Sequence, residues 1–156
     1  MNRHNNFDLL RLLAAFDVMA LHVVELAQQP TLAFFAAVDA KLALCTLFTI
    51  SGYLVFQSYE SSATLSDYFE KRMRRLMPAY VVIILLSVLA GAWLTTWPLS
   101  AYFGLETFKY FAANITFLSF LHPGLPGVFA DNPIKAVNGA LWTLKVELMF
   151  YVAVPI

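Results

Sequence analysis

Residues Phe7 to Leu26, FDLLRLLAAFDVMALHVVEL, are apolar over a length that can cross a bilayer, yet they include Asp8, Arg11, Asp17, His22 and Glu25. A soluble helix of this length shows one apolar stripe and one polar face, whereas here Leu9, Leu10, Leu12, Leu13, Phe16, Val18, Met19, Leu21, Val23 and Val24 cover nearly the whole circumference. The segment is expected to be a membrane helix with ionisable groups inside it. Each such group costs roughly 3 kcal/mol near the bilayer centre unless it faces protein, water or a partner, which makes these residues functional candidates by default. Helical geometry brings Arg11 and His22 back to within about 20° of one another, about 16 Å apart along the axis. One face thus carries a permanent cation near one membrane surface and an imidazole deeper in.

Composition supports an integral membrane protein. The chain has 156 residues, 60% of them hydrophobic and 13% charged, against about 25% charged in ordinary soluble domains. Zero formal net charge gives no reason to expect nucleic-acid binding. Cys45, the single cysteine, cannot form an internal disulfide and is read as a small buried hydrophobe. No small-residue cleavage site follows the first apolar stretch, and Arg3 is only a weak basic flank, so this stretch is read as a retained span rather than a signal peptide. The last residues, YVAVPI, are still apolar, and the chain is expected to be the N-terminal part of a longer protein.

The expected fold class is all-α: a polytopic transmembrane helical bundle of about four spans, near 7–27, 40–59, 79–97 and 140–156, plus one cytoplasmic amphipathic helix. Gln28, Gln29 and Pro30 end the first span, and residues 31–39 form a short apolar connection. Ser51 and Gly52, in the second span, are a small pair that suits close helix packing. In the loop 60–78, Ser66 with Asp67 and Glu70 resembles a helix start, and Tyr68, Phe69, Met73, Leu76 and Met77 fall on one apolar side of a surface helix. Pro78 is expected to redirect the chain into the third span, which is closed by Trp93, Trp97 and Pro98. Lys71, Arg72, Arg74 and Arg75 are four of the ten Lys and Arg residues, so the positive-inside rule makes this loop and the N-terminus cytoplasmic and the loop 98–139 external. Within that outer loop, 103–121 is expected to be a short re-entrant or interfacial helix, and HPGLPGVFADNP at 122–133 to be irregular.

His22 is the residue best suited to act as a general base on a hydroxyl, since an imidazole changes charge near neutral pH. Glu147, the carboxylate of the last span and expected near the outer side, is its candidate orienting partner. The plainer alternatives are a structurally satisfied histidine and a local pairing of Glu147 with Lys145. Arg72 and Arg75, three residues apart on a helix, point the same way and suit clamping a phosphate-bearing ligand, with Arg11 extending that anion site inward. Their plainer alternative is topogenic: holding orientation and binding anionic lipid. Asp8 is expected to pair with Arg11. No metal site is assigned.

Four blocks in order, FDLLR followed by ten residues and His22, FTISGYLV, KRMRRLMP and LWTLKVELMFYVAVP, resemble the N-terminal part of acyltransferase family 3, the integral membrane O-acyltransferases. The resemblance covers 7–156 and implies transfer of an acyl group, usually acetyl, from cytoplasmic acyl-CoA to a carbohydrate hydroxyl across the membrane. It implies acetyl-CoA as donor substrate, with no permanently bound cofactor. Acceptors would be O-antigen of lipopolysaccharide, exopolysaccharide or peptidoglycan sugars, and the location the inner membrane. By position, Arg11 and His22 match the family's R-x10-H pair, with His22 the catalytic candidate; Arg72 and Arg75 match its R-x-x-R, associated with the CoA donor; Glu147 matches the glutamate of its W-[TS]-L-x-V-E block. Transfer by direct attack and by a transient acyl-histidine both fit. Asp17 stands where an apolar residue is more common, about 140° around the helix from His22, and is expected to bond a neighbouring helix. A transporter or flippase component for an envelope glycan precursor would also keep ionisable residues in a span.

Overall fold

The computed structural model describes residues 6–27, 31, 34, 39–132 and 134–156. Arg3, the helix-ending residues 28–30 and most of the connection after them lie outside these. The described residues form six α-helices and no strand: α1 (Phe7–Ala27), α2 (Ala40–Glu60), α3 (Leu65–Leu94), α4 (Leu99–Tyr102), α5 (Leu105–Ile115) and α6 (Leu141–Ala153). Among them α2 and α3 are long and apolar enough to cross a membrane. α1 equals α2 at 21 residues, about 32 Å, but is interrupted by Asp8, Arg11, Asp17 and Glu25. The chain divides into two compact units, residues 1–61 and 62–156.

The first unit is the α1–α2 pair. Asp39 caps α2, its carboxylate accepting from the Lys41 N–H at 2.9 Å. The buried face of α2 runs through Ala43, Ile50, Ser51, Val55 and Ser58, a helically spaced stripe with small residues at three of its five positions. Small side chains let helix backbones approach, and in lipid that packing does the work that water expulsion does elsewhere. Gly52 does not contribute to this approach: a Cβ built there meets nothing within 4 Å. Leu9, Leu12, Leu13, Phe16, Met19 and Val23 of α1 are all about half exposed or more, as expected of a lipid-facing surface. Cys45 is exposed too, contrary to the buried role expected of it.

The second unit is built on α3. Thr64, rather than Ser66, caps this helix, accepting from the Asp67 N–H at 3.1 Å. It then runs unbroken through Pro78 to Leu94, so the amphipathic segment and the third apolar run are one helix of 30 residues, about 45 Å long. The expected redirection at Pro78 does not occur. Pro78 has no N–H to give the Arg74 carbonyl and costs about 3 kcal/mol, but the stripe Tyr68, Leu76, Tyr80, Ile84, Ser87 and Gly91 is buried on both sides of it. A bend there would unseat one half.

Tyrosines fasten the other elements to α3. Tyr80 donates to the Asn114 carbonyl of α5 at 2.6 Å, and Tyr102 of α4 donates to the Val88 carbonyl at 2.7 Å. Tyr80, Ile84, Tyr102, Tyr110, Leu125, Val128 and Leu141 form the core. α5 has 11 residues, about 16 Å, too short for a crossing; it packs on α3. The irregular stretch is stitched to the end of α3 by Thr95 Oγ1 to the Pro126 carbonyl at 2.8 Å and by the Thr96 N–H to the Gly127 carbonyl at 3.1 Å.

Gly127 has φ +66°, and a Cβ built there lies 2.6 Å from both Thr95 Oγ1 and Trp97 Cδ1. Gly127→Val therefore combines backbone strain with overpacking, each of order 1–3 kcal/mol. Thermal unfolding of the purified protein in detergent should show a clear drop in midpoint. Gly139→Val, at a position with nothing within 4 Å, should not.

Candidate functional site

In the first unit, the only buried side chain of α1 among the described residues is Ala14. Taking Arg11 as reference, helical geometry places Ala14, Val18, His22 and Glu25 within an arc of about 80°, while the exposed Leu9, Leu12, Phe16, Met19 and Val23 fall on the opposite side. Arg11 and His22 are accordingly only partly exposed. The cation and the imidazole share the face that turns toward the packed seam.

Beside His22 the structure places Glu25, one turn on: Nδ1 lies 3.6 Å from Oε2. The separation is longer than a hydrogen bond, and the two side chains are 45% and 60% exposed; the contact puts a carboxylate on the Nδ1 side of the ring and leaves the Nε2 side facing away from it. Asp8 and Arg11 form no ion pair, so the expected Asp8–Arg11 contact is not made. Among the described ion pairs Arg11 takes no part.

In the second unit the basic run divides by helix face. Arg74 pairs with Glu70 at 2.6 Å and Lys71 donates to Ser62 Oγ at 3.4 Å; both are surface contacts. Arg72 and Arg75 form no ion pair among the described residues. Arg72 points inward. Its Nε is buried without a hydrogen-bond partner, and its guanidinium carbon lies 5.9 Å from the centre of the Tyr151 ring. Arg75 is exposed, close enough to act electrostatically on the same phenol. Tyr68, one turn before Arg72 and fully buried, donates to the Tyr151 carbonyl at 3.1 Å.

Glu147 belongs to this cluster. Its Oε1 accepts from Tyr151 Oη at 2.8 Å, one turn along α6. Lys145 does not pair with it, its ammonium lying instead 4.5 Å from the centre of the Phe120 ring. α6 is thus held at one end by the 98–139 segment and at the other by the basic part of α3. Glu147 is tied to the arginine end of α3 through Tyr151. Tyr151 is not among the sequence-predicted site residues and Tyr68 is expected only on an apolar helix side, although Tyr151 shares a helix face with Glu147, and Tyr68 with Arg72.

The profile of the acyltransferase domain family matches residues 4–156. The chain belongs to the acyltransferase family. An acyltransferase-family relative named "O-acetyl transferase", from Shigella phage Sf6, is 31% identical over 154 residues, covering 97% of this chain and 45% of that protein. "Nodulation protein 10" of Rhizobium leguminosarum bv. viciae is 36% identical over 167 aligned positions, covering 97% of this chain and 43% of the relative. The acyltransferase segment described here spans less than half the length of either relative. No solved structure matches it.

Proposed function

We propose that the full-length protein is a membrane O-acyltransferase that moves an acyl group, acetyl in the simplest case, from cytoplasmic acyl-CoA to a carbohydrate hydroxyl on the outer side. The observation that carries this, beyond family membership, is the division of the basic run: Arg74 and Lys71 are engaged by neighbours, whereas Arg72 and Arg75 are left without a carboxylate. Two guanidinium groups with no counter-ion among the described residues, on one helix face, suit the phosphates of CoA, which accept bidentate, charge-assisted hydrogen bonds. The name of the phage relative is in keeping with acetyl as the group transferred.

His22 supplies the chemistry. With Glu25 at Nδ1, its Nε2 takes the proton from the acceptor hydroxyl as that oxygen attacks the thioester carbonyl. The tetrahedral intermediate then collapses, the carbon–sulfur bond breaks, and the proton passes to the departing CoA thiolate, leaving an ester on the sugar and free CoA. Glu25, the carboxylate beside His22, is proposed in the orienting role. Glu25→Gln should lower kcat about tenfold, equivalent to about 1.4 kcal/mol of barrier, with the KM for acyl-CoA unchanged.

The test is transfer itself. Membranes containing the full-length protein, given labelled acetyl-CoA and envelope polysaccharide, should accumulate alkali-labile label on the carbohydrate. Absence of ester label with properly inserted protein overturns the proposal. Glycan export that persists without acyl-CoA would favour a transporter component instead. Reporter fusions at the N-terminus and within 98–139 test the orientation.

A further inference from the structure

We propose that Tyr151 is a positioning residue of the donor site, and that it keeps Arg72 available to an anionic ligand by holding the Glu147 carboxylate away from it. This rests on Arg72 binding the acyl-CoA donor, as proposed above.

Tyr151 is wholly buried, and each part of it is engaged. Its hydroxyl donates to Glu147 Oε1 at 2.8 Å, its ring lies 5.9 Å from the Arg72 guanidinium carbon, and its carbonyl accepts from Tyr68 at 3.1 Å. The Tyr68 bond joins residues 83 positions apart and fixes the backbone of α6 against α3 at this level. The ring is then a platform. A guanidinium over an aromatic face is attracted by the ring's charge distribution without spending its N–H groups, and Arg72 Nε has no acceptor among the described residues.

A carboxylate and a guanidinium on adjoining helices ordinarily close into a bidentate pair, since each is the other's best partner away from water. Here both contact one phenol, yet no ion pair forms between them. The hydroxyl holds the carboxylate through a charge-assisted hydrogen bond while the ring holds the cation. Closing the pair would neutralise Arg72, and an incoming phosphate would have to displace a carboxylate to bind. Glu147 thus acts as a latent competitor, restrained by a single O–H.

CoA itself is the probe, titrated against the full-length protein in detergent with binding read by calorimetry. Tyr151→Phe keeps the ring and packing but releases Glu147, so its Kd for CoA should rise about tenfold. Adding Glu147→Gln removes the competing charge and should return the Kd to near the wild-type value. A purely structural Tyr151 would not be rescued by a change in charge at 147. Wild-type affinity in Tyr151→Phe, or weakened affinity that Glu147→Gln does not restore, overturns the proposal. Arg72→Ala is the arm that separates the two ideas: if it binds CoA as the wild type does, the donor-site assignment fails and this inference fails with it. If Arg72→Ala binds weakly while Tyr151→Phe is unaffected, only the role of Tyr151 is lost.

Discussion

His22→Ala in the full-length protein lowers acyl transfer by roughly 100- to 10,000-fold, the range that a positioned general base contributes. The KM for acyl-CoA should change little, because His22 is proposed to act at the acceptor oxygen and not at the donor phosphates. The side chain is 45% exposed, so its removal opens no core cavity, and the unfolding midpoint should stay at the wild-type value. Asp17→Asn is the matched control: another ionisable residue of the same helix, about 140° from His22, whose loss should leave the rate within a few-fold of wild type. Equal transfer in His22→Ala and wild type, at equal membrane abundance, would remove His22 from the chemistry.

The second large effect is expected at the donor end. Arg72→Ala should raise the KM for acyl-CoA by about 10- to 100-fold, as hydrogen bonds to charged groups contribute about 1.5–3 kcal/mol each. Arg72→Lys should recover little of this, since an ammonium lacks the planar fork that rests on Tyr151 and grips two oxygens. Arg75→Ala should act in the same direction, more weakly because Arg75 is exposed. Arg74→Ala removes only a surface pair with Glu70, where the contribution is about 0–1 kcal/mol, and should leave KM unchanged. A KM effect as large in Arg74→Ala as in Arg72→Ala would reduce the basic run to a general electrostatic patch.

Helicity and the face shared by Arg11 and His22 were legible because both depend on a local period. Apolar residues all round a segment of about 20 residues leave no other way to satisfy the backbone in lipid, and eleven residues make nearly three whole turns whatever surrounds them. The continuity of α3 through Pro78 was not legible in the same way. Proline is a strong local signal for a bend, and only the burial of Tyr68 and Leu76 before it and of Tyr80 and Ile84 after it overrides that signal.

Partner choice among the charges was legible least. Glu147 has His22, Lys145 and Tyr151 as candidate partners by type, and the structure engages it with Tyr151. Asp8 and Arg11 have the spacing of an ion pair and do not make one, while His22 and Glu25, with the same spacing, lie 3.6 Å apart. The order of residues alone determined the all-helical class, the stripe that carries Arg11 and His22, and the R-x-x-R pair. Tertiary structure decided which arginines remain without a counter-ion and which carboxylate each functional group meets. The physical reason is that helical periodicity is fixed within a few residues, whereas a side chain with several partners in reach is committed by contacts such as Tyr68 to Tyr151, made 83 residues apart.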